Sequence, residues 1–288
     1  MPSASSLTSI RDVLAALRGR RRLRVLGAEG GFLGLLLARA ATDPEAKGPL
    51  VYVARDEASA RAAAADAGFF LGLSARESAA LDGPVVVVPE NEASPYGDAA
   101  TDPRVLAQRL GALYRLQAAD AERPRLIVIG LRSLTRKVIP PATFARLCRR
   151  WRRGGEIELE EASAALVAAG YQRVDVVEDP GTFAVRGGVV DVYPAIGRFP
   201  VRIELFGDEI ERLRLFDPDS QRSLREVEEV VIHPVREAIA PPLAQLRPAI
   251  LALADHIEVP SSRTRQVLDN LEQGLDFFGE EALTPVFH

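Results

Sequence analysis

Apolar positions follow two different rhythms along this chain. Up to about residue 145, short unbroken apolar runs alternate with longer stretches of helical period. Residues 50–54, 85–89 and 125–129 predict strands, and residues 24–27 end a further short one. Runs that are apolar at every position suit a parallel sheet covered on both faces. Residues 32–41, 58–71 and 103–116 predict helices, the second from its alanines and scarcity of breakers. Strand alternating with helix implies a mostly parallel α/β sheet.

Beyond residue 170 the period becomes two. Residues 201–206 alternate, Gly207-Asp208 makes a two-residue turn, and residues 209–216 alternate again. Glycine in the first place of such a turn suits the type II′ hairpin geometry. Residues 171–233 therefore predict antiparallel β structure, in a small α+β domain separate from the first. It is preceded by a predicted helix at 160–169 with Gly170 as its C-cap. Ahead of that, residues 143–153 predict a basic helical connector carrying Arg146, Arg149, Arg150, Arg152 and Arg153. After Pro241-Pro242 come helical patterns at 243–254 and 262–271, and the apolar residues still arriving at Phe287-His288 read as a cut rather than a natural end.

Composition narrows the function classes. With 288 residues, 47% of them hydrophobic and 26% charged, the chain is expected to bury real cores rather than stay disordered. A net charge of -4 argues against a dedicated nucleic-acid binder, although the local arginines leave a phosphate contact open. The single cysteine, Cys148, makes neither an internal disulfide nor a cysteine-based zinc site, which suggests a cytoplasmic protein. His233, His256 and His288 are scattered without ligand spacing, so no metal site is expected. Neither a leader peptide nor a membrane span is expected.

One stretch invites a nucleotide reading. Gly27, Gly30, Gly31 and Gly34 lie where a P-loop would sit, between a predicted strand and a predicted helix. A working P-loop also needs Lys for phosphate charge and Ser or Thr for magnesium. Those positions are apolar or glycine here, and Glu29 would repel phosphate. A tight strand-to-helix turn explains the glycines better, so no cofactor is expected on this loop. No nucleophile elbow, zinc-protease motif or Cys–His pair appears, and no catalytic residue is assigned. Asp175, Glu178 and Asp179 read as a solvated strand edge.

The hairpin carries a clearer signal. Period-two geometry puts Val201, Ile203 and Leu205 on one face and Arg202, Glu204 and Phe206 on the other. Likewise Phe183 and Val185 oppose Ala184 and Arg186. If the aliphatic face is core, Phe206 and the arginines point outward, an arrangement common in interface anchors. A neighbouring loop over Phe206, with the arginines paired to Glu204 or Glu211, explains the pattern equally well.

These residues also carry a resemblance. Residues 170–188, GYQRVDVVEDPGTFAVRGG, continued by VVDVYP at 189–194, PVRIELFGDEIE at 200–211 and FDP at 216–218, resemble the UvrA-binding domain shared by UvrB and the transcription–repair coupling factors. The missing P-loop and the missing aromatic DNA-clamping hairpin set the chain apart from UvrB. PENEASPYGD at 89–98 and RLGALY at 109–114 are similar to the first domain of the coupling factors. The resemblance implies a degenerate helicase-like α/β domain from residues 1–145 and 235–288, with residues 150–234 inserted as the UvrA-binding domain. It implies an adaptor that recruits UvrA by mimicking UvrB, through Arg186, Arg202 and Phe206. It places RNA polymerase and DNA contacts, and the ATP- and magnesium-dependent motor, in further domains that this sequence lacks. An ATP-dependent helicase fragment that still binds nucleotide, or a DNA-binding module using Arg146 to Arg153, are the alternatives.

Overall fold

The three apolar runs of the first region form β1 (Leu50–Ala54), β2 (Val85–Val88) and β3 (Leu126–Gly130) in a computed structural model of the chain. The structure describes residues 9–19, 23–46, 48–74, 83–90, 102–117, 123–237, 243–273, 277 and 280–287. Most of the PENEASPYGD stretch, Pro241-Pro242 and His288 lie outside them, as does all of residues 1–8. Chain contacts divide the protein into two compact units, residues 1–90 with 112–136, and residues 91–111 with 137–288.

In the first unit the strands are parallel in the order β1-β3-β2, as unbroken apolar runs require. One face packs on α2 (Gly30–Ala41) and α3 (Glu57–Phe70), through Leu37, Ala60, Ala63, Ala64 and Ala67. The other packs Val86, Val88 and Ile127 against Ala112 of α4 (Pro103–Gln117). A helix α1 (Ile10–Gly19) precedes them. Asp56 starts α3 by accepting the Ser59 amide at 2.8 Å, a side-chain cap that saturates an otherwise orphaned N–H. The expected strand at 24–27 does not form, and Leu26 is 77% exposed. Its apolar run is too short to bury a face, so nothing offsets the entropy of extending it.

The second unit holds the β-rich segment. After the short α5 (Leu131–Thr135) of the first unit, the basic stretch expected as a helix is divided between the end of α6 (Pro141–Leu147) and β4 (Arg149–Arg152). Alternation decides it, because Trp151 enters the core while Arg150 and Arg152 face solvent. Strand β4 pairs antiparallel with β11 (Glu229–Ile232), placing Arg152 opposite Glu229. Between them a six-stranded sheet runs β10-β9-β8-β7-β6-β5, antiparallel except where β5 (Gln172–Arg173) meets β6 (Thr182–Arg186) in parallel. The other members are β7 (Val189–Val192), β8 (Val201–Phe206), β9 (Glu209–Phe216) and β10 (Ser223–Glu226).

The inner face of this sheet is apolar along its central strands: Phe183, Val190, Val192, Val201, Ile203 and Leu213 are all buried, under Ala162 and Leu166 of α7 (Leu159–Ala168). Gly170, at φ 87°, ends α7, its amide reaching the Val167 carbonyl and that of Tyr171 the Leu166 carbonyl. This is the paired hydrogen-bond pattern of a Schellman stop. Helices α8 (Leu243–His256), α9 (Ser261–Gln273) and α10 (Thr284–Phe287) make a separate small core around Leu246, Ile250, Leu268 and Phe287.

Candidate partner-binding face

The outer face of the six-stranded sheet is where the alternation sends its polar side chains. At the β8–β9 turn Gly207 has φ 63° and at the β6–β7 turn Gly187 has φ 56°, each the first of two turn residues. Neither Asp208 nor Gly188 has a positive φ, which fits the type II′ expectation. The Leu205 amide donates to the Gly188 carbonyl at 2.8 Å, so both turns lie at one end of the sheet.

Cross-strand register orders the face into rows. Arg186, Val189, Glu204 and Arg212 form one row, and Ala184, Asp191, Arg202, Arg214 and Glu226 the next. Phe206 lies beyond the first row, opposite Glu209 at the hairpin end, and is 80% exposed. The open question of a covering loop is thereby answered: the ring stands in solvent. Arg186 is exposed near the same end, with its Nη2 donating to the Asp175 carbonyl. Asp175, Glu178 and Asp179 are exposed in the loop between β5 and β6 rather than on a strand edge.

Arg202 is held differently. Its Nε and Nη2 donate to the two carboxylate oxygens of Asp191, each at 2.8 Å, and its guanidinium lies 4.7 Å from the centre of the Phe216 ring. The hydrogen bond to Asp191 raises the guanidinium pKa above its ordinary value, against the opposing effect of burial. Arg214 stands directly opposite Arg202, a like-charge juxtaposition that would destabilise a bare sheet. Here Arg214 has its own carboxylates, Glu204 at 3.2 Å and Glu226 at 3.7 Å. Asp191 and Phe216 were not singled out in the sequence. Their signals were a lone Asp within the apolar run Val189–Val192, and an aromatic in phase with Arg212 and Arg214 on β9.

Elsewhere the candidate chemistry thins out. Gly27 and Gly30 have φ 77° and 51°, as a tight turn requires, and Glu29 sits immediately before α2. Gly34 belongs to the body of α2, where a Cβ would come 2.4 Å from Cβ of Asp66 on α3. It is a helix-packing glycine, not part of a phosphate loop. Of the basic stretch, Arg150 and Arg152 pair with Glu229, and Arg153 with Glu228. Burial pushes the Cys148 thiol up to about 11, far from a reactive thiolate. Among the described residues no group of three or more His, Cys, Asp or Glu could hold a metal, and no helix is long and apolar enough to cross a membrane.

Residues 150–237, which hold this sheet, α7 and all of the flanking β4–β11 ribbon but Arg149, match the UvrB interaction domain family. The second unit thus contains a UvrB interaction domain. Over nearly its whole length the chain is similar to transcription-repair-coupling factors. It is 39% identical over 278 residues to that of Myxococcus xanthus, covering 96% of this chain and 23% of the relative. With the Bacillus subtilis factor it shares 35% identity over 167 residues, 58% of this chain and 14% of that one. With the Escherichia coli factor it shares 30% over 190 residues, 66% of this chain and 15% of that one. The chain therefore spans less than a quarter of the length of each of these proteins.

Proposed function

We propose that this chain is the UvrA-recruiting adaptor region of a cytoplasmic transcription-repair coupling factor, and that it acts by binding rather than by catalysis. The observation that carries this reading is the outer face of the sheet within residues 150–237, where an 80% exposed phenylalanine stands beside exposed Arg186 and a tethered Arg202. Aromatic and arginine anchors dominate binding energy at interfaces. Residues 1–145 and 235–288 act, on this reading, as a helicase-like α/β domain that has lost its nucleotide loop. RNA polymerase, DNA, and ATP with magnesium engage other parts of the parent protein.

Calorimetric titration of purified UvrA into the chain tests it. The unmutated chain binds tightly, and Arg186→Ala with Arg202→Ala, still folded by circular dichroism, loses that binding. Equal affinity in the two would remove this face from recognition, and absence of binding by the unmutated chain would remove the adaptor role. The nucleotide-binding alternative has against it the absent Lys and hydroxyl of the loop. The DNA-binding alternative has against it the carboxylates of Glu228 and Glu229 beside Arg150, Arg152 and Arg153.

A further inference from the structure

The two arginines on the face are held differently. Arg186 is exposed, and its Nη2 donates to the Asp175 carbonyl of the loop between β5 and β6. Arg202 is confined on two sides. Asp191, whose side chain is 5% exposed, takes the Nε and Nη2 edge in a fork-to-fork pair, and the buried Phe216 ring lies against the flat of the group. A guanidinium has five N–H donors, and Asp191 engages two of them. The Nη1 amino group and the second N–H of Nη2 remain for another acceptor, on a side chain that is 23% exposed.

An exposed ion pair contributes little on average, and this one is instead held bidentate on a buried carboxylate, which fixes the orientation of the guanidinium. That makes sense as preorganisation. A free arginine loses rotamer freedom when a partner captures it, and a group already locked by packing and hydrogen bonds avoids that loss. We infer that Asp191, with Phe216 beneath, is a positioning residue for partner recognition: it presets Arg202 so that its outward edge meets an oxygen acceptor of UvrA. The inference rests on the adaptor reading and deepens it. Asp191 itself stays beneath the interface and touches Arg202 rather than the partner.

A double-mutant cycle tests this, with UvrA binding measured by calorimetry and folding by thermal melting for every variant. Asp191→Asn keeps the side-chain shape but removes the second acceptor oxygen and the charge, and it weakens UvrA binding about tenfold, the equivalent of about 1.4 kcal/mol. In an Arg202→Ala background the same Asp191→Asn change has no further effect, because Asp191 acts only through the arginine. A purely structural role predicts the same loss in both backgrounds, and that result overturns the inference while leaving the adaptor reading intact. So does an Asp191→Asn chain of undiminished affinity. If Asp191→Asn fails to fold, Phe216→Leu removes the flat support instead and follows the same cycle, with the same two results against the inference. If the unmutated chain does not bind UvrA, both readings fall together.

Discussion

Replacing Phe206 by alanine separates binding from folding on this surface. The ring is 80% exposed, so it contributes little to the folded state. A phenylalanine side chain presents about 200 Å² to a partner, and four-fifths of that, about 160 Å², is open here. At about 25 cal/mol per Å², complete coverage by a partner is worth at most about 4 kcal/mol. Interface anchors of this kind commonly cost about 2 kcal/mol or more on truncation. Phe206→Ala should thus weaken UvrA binding by between about thirtyfold and a thousandfold. The remaining covered fifth sets a ceiling of about 1 kcal/mol on any change in folding stability. Two measurements on the same preparation check this, calorimetric titration with UvrA and urea unfolding followed by circular dichroism. An affinity within twofold of the unmutated chain would refute the anchor assignment. A stability loss of several kcal/mol would refute the claim that the ring stands free of the fold.

Other regions of the chain make separate predictions. Arg109 and Glu237 form a fully buried ion pair, with side chains 2% and 3% exposed. Glu237→Ala takes the carboxylate from a buried guanidinium and should cost about 3–5 kcal/mol in urea unfolding, whereas Arg109→Met with Glu237→Leu should restore most of it; a single-mutant loss below about 1 kcal/mol would count against this. Burial lowers the His233 pKa to about 4 from an ordinary 6.5. The unfolded chain therefore takes up a proton first, so stability is full above pH 6.5 and declines as pH falls towards 4, by a total of about 3 kcal/mol. In His233→Gln that part of the slope should vanish, and an unchanged pH profile would show that other groups set it.

The sequence was most informative where one physical signal dominated. Val85 to Val88 could be read as a buried parallel strand because nothing polar interrupts it, and β1 and β3 followed likewise. The outward placement of Phe206 and Arg202 followed from alternation once the aliphatic face was taken as core. Where two signals competed, the sequence misled. Arginines at 149, 150, 152 and 153 favour helix by propensity, yet Trp151 had one core to enter and the backbone had Glu229–Ile232 to pair with, so tertiary pairing prevailed. Gly34 was grouped with the glycines of a tight strand-to-helix turn because spacing carries no information about Asp66, a residue on another helix. Asp191 was invisible as a partner of Arg202 for the same reason: the register that sets them opposite each other exists only in the folded sheet.

The β4–β11 ribbon gives this segment an unusual kind of independence. Arg149 pairs with Ile232 and Arg152 with Glu229, so the chain enters and leaves the sheet domain through two neighbouring, oppositely running strands. Paired residues of this sort lie about 5 Å apart, a gap that any ordinary surface loop already spans. A host protein accepting residues 149–235 would need to open no seam in its own core, and the guest would bring along the contacts that Val235 and the His233 carbonyl make with it. A cassette closed at its own neck can travel between unrelated machines and bring its recognition surface along intact.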